Sequence, residues 1–143
     1  MLTLAIGAVA AKLTLNSEGK FKILQITDIH YSENDDKDSK TTALLRDLIT
    51  WEKPDLAVLT GDMVSGYAWD QSQGWYAKQW HKWTQAFKDT NQTYMYIEGN
   101  HDAQADLSRD EITTLDLGNP LSLTERGPAE AAGTSNYYKA VYD

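Results

Sequence analysis

Three short polar motifs constrain this chain more than any other feature, because each follows an apolar stretch typical of a β-strand. They are Asp28-x-His30, Gly61-Asp62 and Gly99-Asn100-His101-Asp102. A single Asp after a strand is common, since Asp favours turns and helix caps. Carboxylate, amide and imidazole groups after three consecutive strands are much less expected by chance. Because ligands of open α/β sheets bind beyond the carboxyl ends of the strands, the motifs predict one shared site.

The remaining pattern predicts an α/β fold. Strands are predicted at 21–29, 55–60, 93–98 and 136–142, and helices at 41–52, after 70–73, and from Ser108 to Gly118. Segments 32–40 and 118–135 are predicted as loops, and 70–73 and 108–111 as capping boxes. Alternating strands and helices with right-handed crossovers imply a mixed, mostly parallel sheet with helices on its faces.

The second helix carries a stripe of large aromatic residues. Tyr76, Trp80, Trp83 and Phe87 recur at helical spacing, which predicts packing against the sheet. His81 lies off this stripe, so we expect it at the surface and not among metal ligands.

Composition limits the partners and the chemistry. A chain of 143 residues with 41% hydrophobic residues is long enough for one domain with a core. The formal net charge of −8, without a run of Lys or Arg, argues against nucleic acid as the main partner. Cysteine is absent, which excludes thiolate metal sites and disulfides, so any metal must be bound by oxygen and imidazole.

The N-terminal residues 1–11 leave two interpretations open. The apolar run 2–11 contains Ala8-Val9-Ala10, a small-x-small pattern typical of signal-peptidase sites, but it lacks a basic segment. It is also far shorter than the roughly 20 residues of a membrane span, so no transmembrane segment is expected there. We therefore expect a signal peptide or leader remnant, or else a hydrophobic first strand. A secretory location is slightly favoured over a cytoplasmic one, and the sequon 91–93 matters only in that case.

The spacing of the motifs predicts how a metal could be held. In an extended segment, residues two apart point to the same side, so Asp28 and His30 can face one ion. Asp62 has two oxygens and can bridge that ion to a second, for which Asn100 offers an amide oxygen. The glycines before Asp62 and Asn100 allow the backbone to turn sharply. This donor mixture suits Mn, Fe or Zn better than Ca or Mg.

The motifs DIH, GD and GNHD, in this order and at this spacing, resemble the calcineurin-like metallophosphoesterases. The segments FKILQITDIHY, PDLAVLTGDMV, YIEGNHD and GTSNYYK are similar to the purple-acid-phosphatase-like branch. The resemblance implies the N-terminal half of a mixed β-sandwich flanked by helices. It also implies two metal ions that hydrolyse phosphate monoesters or diesters, with a metal-bound hydroxide as the nucleophile.

The resemblance also implies roles for individual residues. Asp28 and His30 bind one metal, Asp62 bridges, and Asn100 binds the second metal. His101 contacts the phosphate or protonates the leaving oxygen. Asp102 stands behind His101, and we expect it to orient the imidazole through its second ring nitrogen.

Two features depart from the family pattern. Ser65 stands where purple enzymes carry a metal-binding Tyr, and His30 where that branch commonly has Gly, so the site should be colourless and of the DxH type. A later His and a Gly-His-x-His block, with which the family completes its centre, are absent from the 143 residues. We therefore expect 12–143 to be a truncated phosphoesterase domain with weak or no turnover. The alternative is a non-catalytic fragment or remnant that binds at most one metal or a partner.

Overall fold

The computed structural model describes residues 12–143, so the predicted leader at 1–11 lies outside the described residues. The described strands are β1 (Leu13–Thr14), β2 (Ile23–Ile26), β3 (Leu56–Leu59), β4 (Tyr94–Tyr96) and β5 (Val141–Tyr142). The described α-helices are α1 (Asp35–Glu52), α2 (Trp75–Thr90) and α3 (Arg109–Leu117), and Gly66–Ala68 forms a 3-10 turn. Within this part of the chain, no helix has the length and apolar character that crossing a membrane requires.

The central sheet is parallel and has the order β2-β3-β4. Gln25 pairs with Val58, and Val58 with Met95, so the three strands end at the same edge of the sheet. Helix α1 connects β2 to β3, and α2 connects β3 to β4. The predicted α/β class with parallel strands and flanking helices is confirmed. A separate pair, β1 and β5, is also parallel.

The aromatic stripe of α2 forms the core, as predicted. Tyr76, Trp80, Trp83 and Phe87 are buried together with the sheet residues. The ring of Trp83 lies 5.5 Å from that of Tyr96, measured between centroids, so the helix packs directly on β4. Burying aromatic side chains of this size supplies a large hydrophobic contribution to stability.

Helix α1 begins earlier than the sequence pattern predicts. The prediction of a loop at 32–40 is wrong, because residues from Asp35 onward form the first turns of the helix. Asn34 caps these turns, since its side chain accepts a hydrogen bond from the amide of Lys37 at 3.0 Å. Acidic residues in the first turn are favourable next to the positive end of the helix dipole. A first turn rich in charge carries no apolar stripe, so its sequence is typical of a loop.

The capping box predicted at 70–73 is also wrong. Helix α2 starts at Trp75, and its N-cap is Gly74, in a left-handed conformation with φ 77°. The carboxylate of Asp106 accepts hydrogen bonds from the backbone amides of residues 74–76 at 2.6, 3.0 and 2.9 Å. A side chain about thirty positions away thus caps the helix, which a local pattern cannot reveal.

The last part of the chain follows the prediction more closely. Ser108 and Glu111 form the predicted capping box of α3, and Gly118 is its C-cap. Between α3 and β5, the described residues contain turns and irregular backbone without another helix or strand. The predicted last strand at 136–142 is reduced to β5, because only its final residues pair, and they pair with β1.

Candidate metal centre

The first two polar motifs are joined through their backbones. The loops after β2 and β3 continue side by side beyond the sheet, since the amide of Asp28 donates to the carbonyl of Gly61 at 3.1 Å. The amide of His30 donates in the same way to the carbonyl of Asp62 at 3.1 Å. The two motifs are therefore held at a fixed distance by main-chain hydrogen bonds rather than by flexible side chains.

Three of the predicted ligands come together at this edge. Asp28, His30 and Asp62 each offer one ligand atom, and these atoms lie within 4.8 Å of one another. Asp28 is exposed, His30 is half-buried and Asp62 is buried, so the group opens to solvent on one side. Two atoms that each lie about 2.0–2.2 Å from one metal are at most about 4.4 Å apart, so the group is close to the spacing that a single ion requires. Two carboxylates and one imidazole therefore fit a single Mn, Fe or Zn ion.

All three of these residues adopt a left-handed backbone conformation. The φ angles are 54° at Asp28, 48° at His30 and 50° at Asp62. The expectation that Asp28 and His30 lie on an extended segment is wrong, because β2 already ends at Ile26. Asp and His tolerate this region better than most residues, but each such residue costs about 1–3 kcal/mol. Three of them in one cluster indicate a backbone shaped by the site and not by ordinary turn preferences.

Two glycines make room for the carboxylate of Asp62. A Cβ atom on Gly99 would collide with Oδ1 and with the amide nitrogen of Asp62. A Cβ atom on Gly61, where φ is 97°, would lie 2.6 Å from the Cα of Gly99. The loops after β3 and β4 thus approach so closely that only glycine fits at either position.

The third motif contacts the same cluster through His101. Its backbone amide donates to Oδ1 of Asp62 at 2.8 Å, which fixes the orientation of that carboxylate. Its ring lies 5.5 Å from the ring of His30, measured between centroids. Asn100 is exposed in the turn just before it, and its role toward a second ion stays a prediction.

The expected contact between Asp102 and the imidazole of His101 is absent among the described residues, so that prediction is corrected. Nδ1 of His101 instead lies 2.9 Å from Oε1 of Gln104. The buried carboxylate of Asp102 accepts hydrogen bonds from the backbone amides of Asp62, Val64 and Gly99 at 2.8, 3.0 and 2.7 Å. Burial raises the pKa of Asp102, although these backbone donors oppose the shift. Asp102 therefore joins the loops after β3 and β4.

Sequence reasoning missed three residues around His30. Nδ1 of His30 lies 2.8 Å from Oγ of Ser65, which in turn donates to Oε1 of Glu33 at 2.7 Å. The hydroxyl of Tyr67 donates to the same oxygen of Glu33, and its ring lies edge-on to His101 at 5.0 Å between centroids. Hydrogen bonds hold the pKa of Glu33 below its usual value, and the one from the Tyr67 hydroxyl contributes more than the one from Ser65. No motif marks these residues, although Ser65 stands where purple enzymes carry a Tyr and Tyr67 lies two residues further on.

A family comparison identifies the fold that carries this site. The model of the calcineurin-like phosphoesterases matches residues 21–140, which include all three motifs. The chain belongs to the calcineurin-like phosphoesterase family. The resemblance predicted from the DIH, GD and GNHD motifs is confirmed.

Curated relatives place the chain in the branch of purple-acid-phosphatase-like proteins. An uncharacterized protein of Schizosaccharomyces pombe is 33% identical over 120 residues, covering 72% of this chain and 23% of that protein. Probable inactive purple acid phosphatase 14 of Arabidopsis thaliana is 30% identical over 134 residues, covering 84% of this chain and 33% of that protein. Phosphatase DCR2 of Saccharomyces cerevisiae is 26% identical over 150 residues, covering 93% of this chain and 25% of that protein. The chain thus spans between 23% and 33% of the length of these relatives.

Proposed function

We propose that this chain carries the first half of a phosphoesterase site that hydrolyses phosphate monoesters or diesters with two metal ions. The observation that carries the proposal is the Asp28–His30–Asp62 cluster, whose ligand atoms lie within 4.8 Å of one another. Asp28 and His30 would hold one ion, Asn100 would hold the second, and Asp62 would supply a carboxylate oxygen to each. Bound Mn, Fe or Zn would supply an activated water and neutralise charge on the phosphoryl oxygens.

His101 acts on the substrate in this proposal. Its Nδ1 is engaged by Gln104, which leaves Nε2 for the phosphate or the leaving oxygen. Because Oε1 of Gln104 accepts, Nδ1 carries a ring hydrogen, and Nε2 can donate only when the ring is an imidazolium. That form would stabilise the charge that develops during cleavage and supply the proton that the leaving oxygen needs. Asp102 would position the loop that carries Asp62, since its carboxylate accepts hydrogen bonds from the amides of Asp62 and Val64.

Metal-dependent thermal stability tests the proposal on the chain itself. Adding Mn should raise the unfolding temperature, since a ligand that binds only the folded state stabilises it by mass action. Inorganic phosphate should raise it further only when Mn is present, because the phosphate would bind through the metals and His101. An unfolding temperature that is indifferent to Mn would refute the proposed centre.

Turnover by the 143 residues should be weak or absent, because four side chains are few ligands for two ions. An aryl phosphate assay with Mn measures this. Rates of an ordinary enzyme, about 1 s⁻¹ or faster, would refute the expectation that further ligands are needed.

The second candidate is a non-catalytic protein that binds at most one metal or a partner. It is supported by the name of one relative, a probable inactive purple acid phosphatase. Reading the coding frame beyond Asp143 distinguishes the two candidates. A further His and a Gly-His-x-His block there favour the phosphoesterase, and a stop codon favours the non-catalytic protein.

A further inference from the structure

A relay of side-chain hydrogen bonds, formed by Ser65 and Glu33, contacts the ring of His30 on the side away from Asp28. Ser65 is fully buried, and its Oγ lies 2.8 Å from Nδ1 of His30 and 2.7 Å from Oε1 of Glu33. The opposite ring nitrogen, Nε2, faces Asp28 at 3.9 Å. We propose that Ser65 and Glu33 are positioning residues that fix His30 in the Nδ1–H tautomer and leave the Nε2 lone pair for the metal.

The hydrogen atoms can be assigned by elimination. At neutral pH a glutamate is ionised and only accepts hydrogen bonds, so the single hydroxyl hydrogen of Ser65 points to Glu33. Oγ of Ser65 then has only lone pairs to offer His30, and Nδ1 must carry the ring hydrogen. The neutral imidazole consequently has its free lone pair on Nε2, which is the form that ligates a metal.

The opposite tautomer finds no support in this geometry. A hydrogen on Nε2 would point toward Asp28, but the distance of 3.9 Å to Oδ1 is too long for a hydrogen bond. It would also leave Nδ1 as an acceptor against an oxygen whose only hydrogen is already donated to Glu33. Tyr67 strengthens this arrangement, because its hydroxyl donates to the same oxygen of Glu33 and holds the carboxylate in place.

The position of Ser65 is itself fixed by the backbone. Its amide donates to the carbonyl of Tyr31 at 3.0 Å, in the segment that continues directly from His30. Burial keeps water from competing for the hydroxyl. The relay consists of hydrogen bonds within this chain, so its effect on the tautomer does not require the proposed function. Its effect on metal affinity does rest on that function.

Two measurements on the metal-free and the Mn-loaded protein test the relay. In ¹⁵N-histidine NMR spectra of the metal-free chain, neutral His30 should appear as the Nδ1–H tautomer. Ser65→Ala removes the acceptor, and Glu33→Gln introduces an amide that can donate to Ser65 and reverse the relay, so both should give a mixture of tautomers. Both should weaken Mn binding by about 10-fold or more, the scale found for outer ligands of metal sites.

Glu130→Gln is the matched control, since it removes the same charge from an exposed residue outside the site. It should change neither the tautomer nor the Mn affinity. Glu33 is 41% exposed, so its variant should fold even if a change at the buried Ser65 does not. A parent protein with His30 as Nε2–H, or variants that match the parent in tautomer and Mn affinity, would overturn the inference. If the parent binds no Mn, the proposed function fails, and the parent's tautomer alone then decides the relay.

Discussion

At the scale of single residues, Asp62 is the most connected member of the site. Its carbonyl accepts from His30, its amide donates to Asp102, and its carboxylate accepts from the amide of His101. All three polar motifs are therefore tied to one residue. This explains why a left-handed conformation at Asp62 persists despite its cost, since the surrounding hydrogen bonds determine its backbone.

Replacing His101 should separate metal binding from chemistry. Its side chain is not among the group of Asp28, His30 and Asp62, so His101→Ala should leave the Mn content almost intact. In a longer protein with a complete centre, we expect the rate to fall by about 10² or more, the usual scale for a proton-transfer group. Gln104→Ala, which removes only the partner of Nδ1, should have a smaller effect. Equal rates for His101→Ala and the parent would refute the role of His101.

Gly99 offers a test that removes no ligand atom. A methyl group there would collide with Asp62, so Gly99→Ala should displace the carboxylate and weaken Mn binding. Gly19→Ala is a control, because a Cβ at that left-handed glycine meets no atom within 4 Å and can only strain the backbone. Isothermal titration with Mn measures both variants. An unchanged affinity for Gly99→Ala would mean that the Asp62 carboxylate does not bind the ion.

At the scale of elements, helices α2 and α3 each have a carboxylate that accepts backbone hydrogen bonds at the N-terminus. Asp106 supplies this contact to α2 from a distant loop, with three backbone donors on its two oxygens. Asp106→Ala should lower the free energy of unfolding by about 2 kcal/mol, the scale of hydrogen bonds to charged groups. Asp70→Ala tests the capping box that the sequence predicted at 70–73, and it should lower the free energy of unfolding clearly less. Chemical denaturation measures the free energy of unfolding of both variants. Equal decreases would mean that Asp70 contributes to the cap as much as Asp106 does.

The capping box of α3 should make stability depend on pH. Hydrogen bonds from the backbone and then the hydroxyl of Ser108 lower the pKa of Glu111 in the folded state. The carboxylate binds fewer protons when folded, so its contribution is present above the unfolded pKa, about 4.3, and is lost as pH falls through the folded value. Glu111→Gln should reduce this loss when unfolding is followed between about pH 5 and pH 3. The same pH dependence in both proteins would refute the assignment.

The sequence could predict a contact when the two residues that form it lie close together along the chain. The Ser108–Glu111 box was predicted because its partners are three residues apart. The start of α2 was not, because Asp106 lies in another loop. The ligand types at the strand ends were predicted from residue chemistry, whereas the Ser65–Glu33 relay required knowing which side chains meet in space.

At the scale of the whole molecule, the parallel sheet brings the residues of the site together. Since β2, β3 and β4 run in the same direction, their three following loops must lie at one edge, which is why a sequence pattern could predict a common site. The pairing of β1 with β5 brings residues 13–14 beside 141–142, and the strand pattern gave no indication of that partner. Pairing between distant segments is set by tertiary packing, which short patterns do not encode.

The net charge of −8 makes one control essential for any metal measurement. An acidic surface attracts cations without a defined site, so a lost carboxylate lowers weak binding wherever it lies. Asp36→Asn provides the matched control, because it removes one charge from the exposed first turn of α1.

The Mn stoichiometry and affinity of Asp62→Asn test the central claim most directly. Asn keeps the shape, tolerates the left-handed backbone and can still accept the hydrogen bond from His101, so the fold should remain. We expect Asp62→Asn to lose the most Mn, because it removes the charge that the two proposed ions would share. Asp28→Asn should lose less, and Asp36→Asn should match the parent. If Asp62→Asn binds as much Mn as the parent, with the same affinity, the proposed metal centre is wrong.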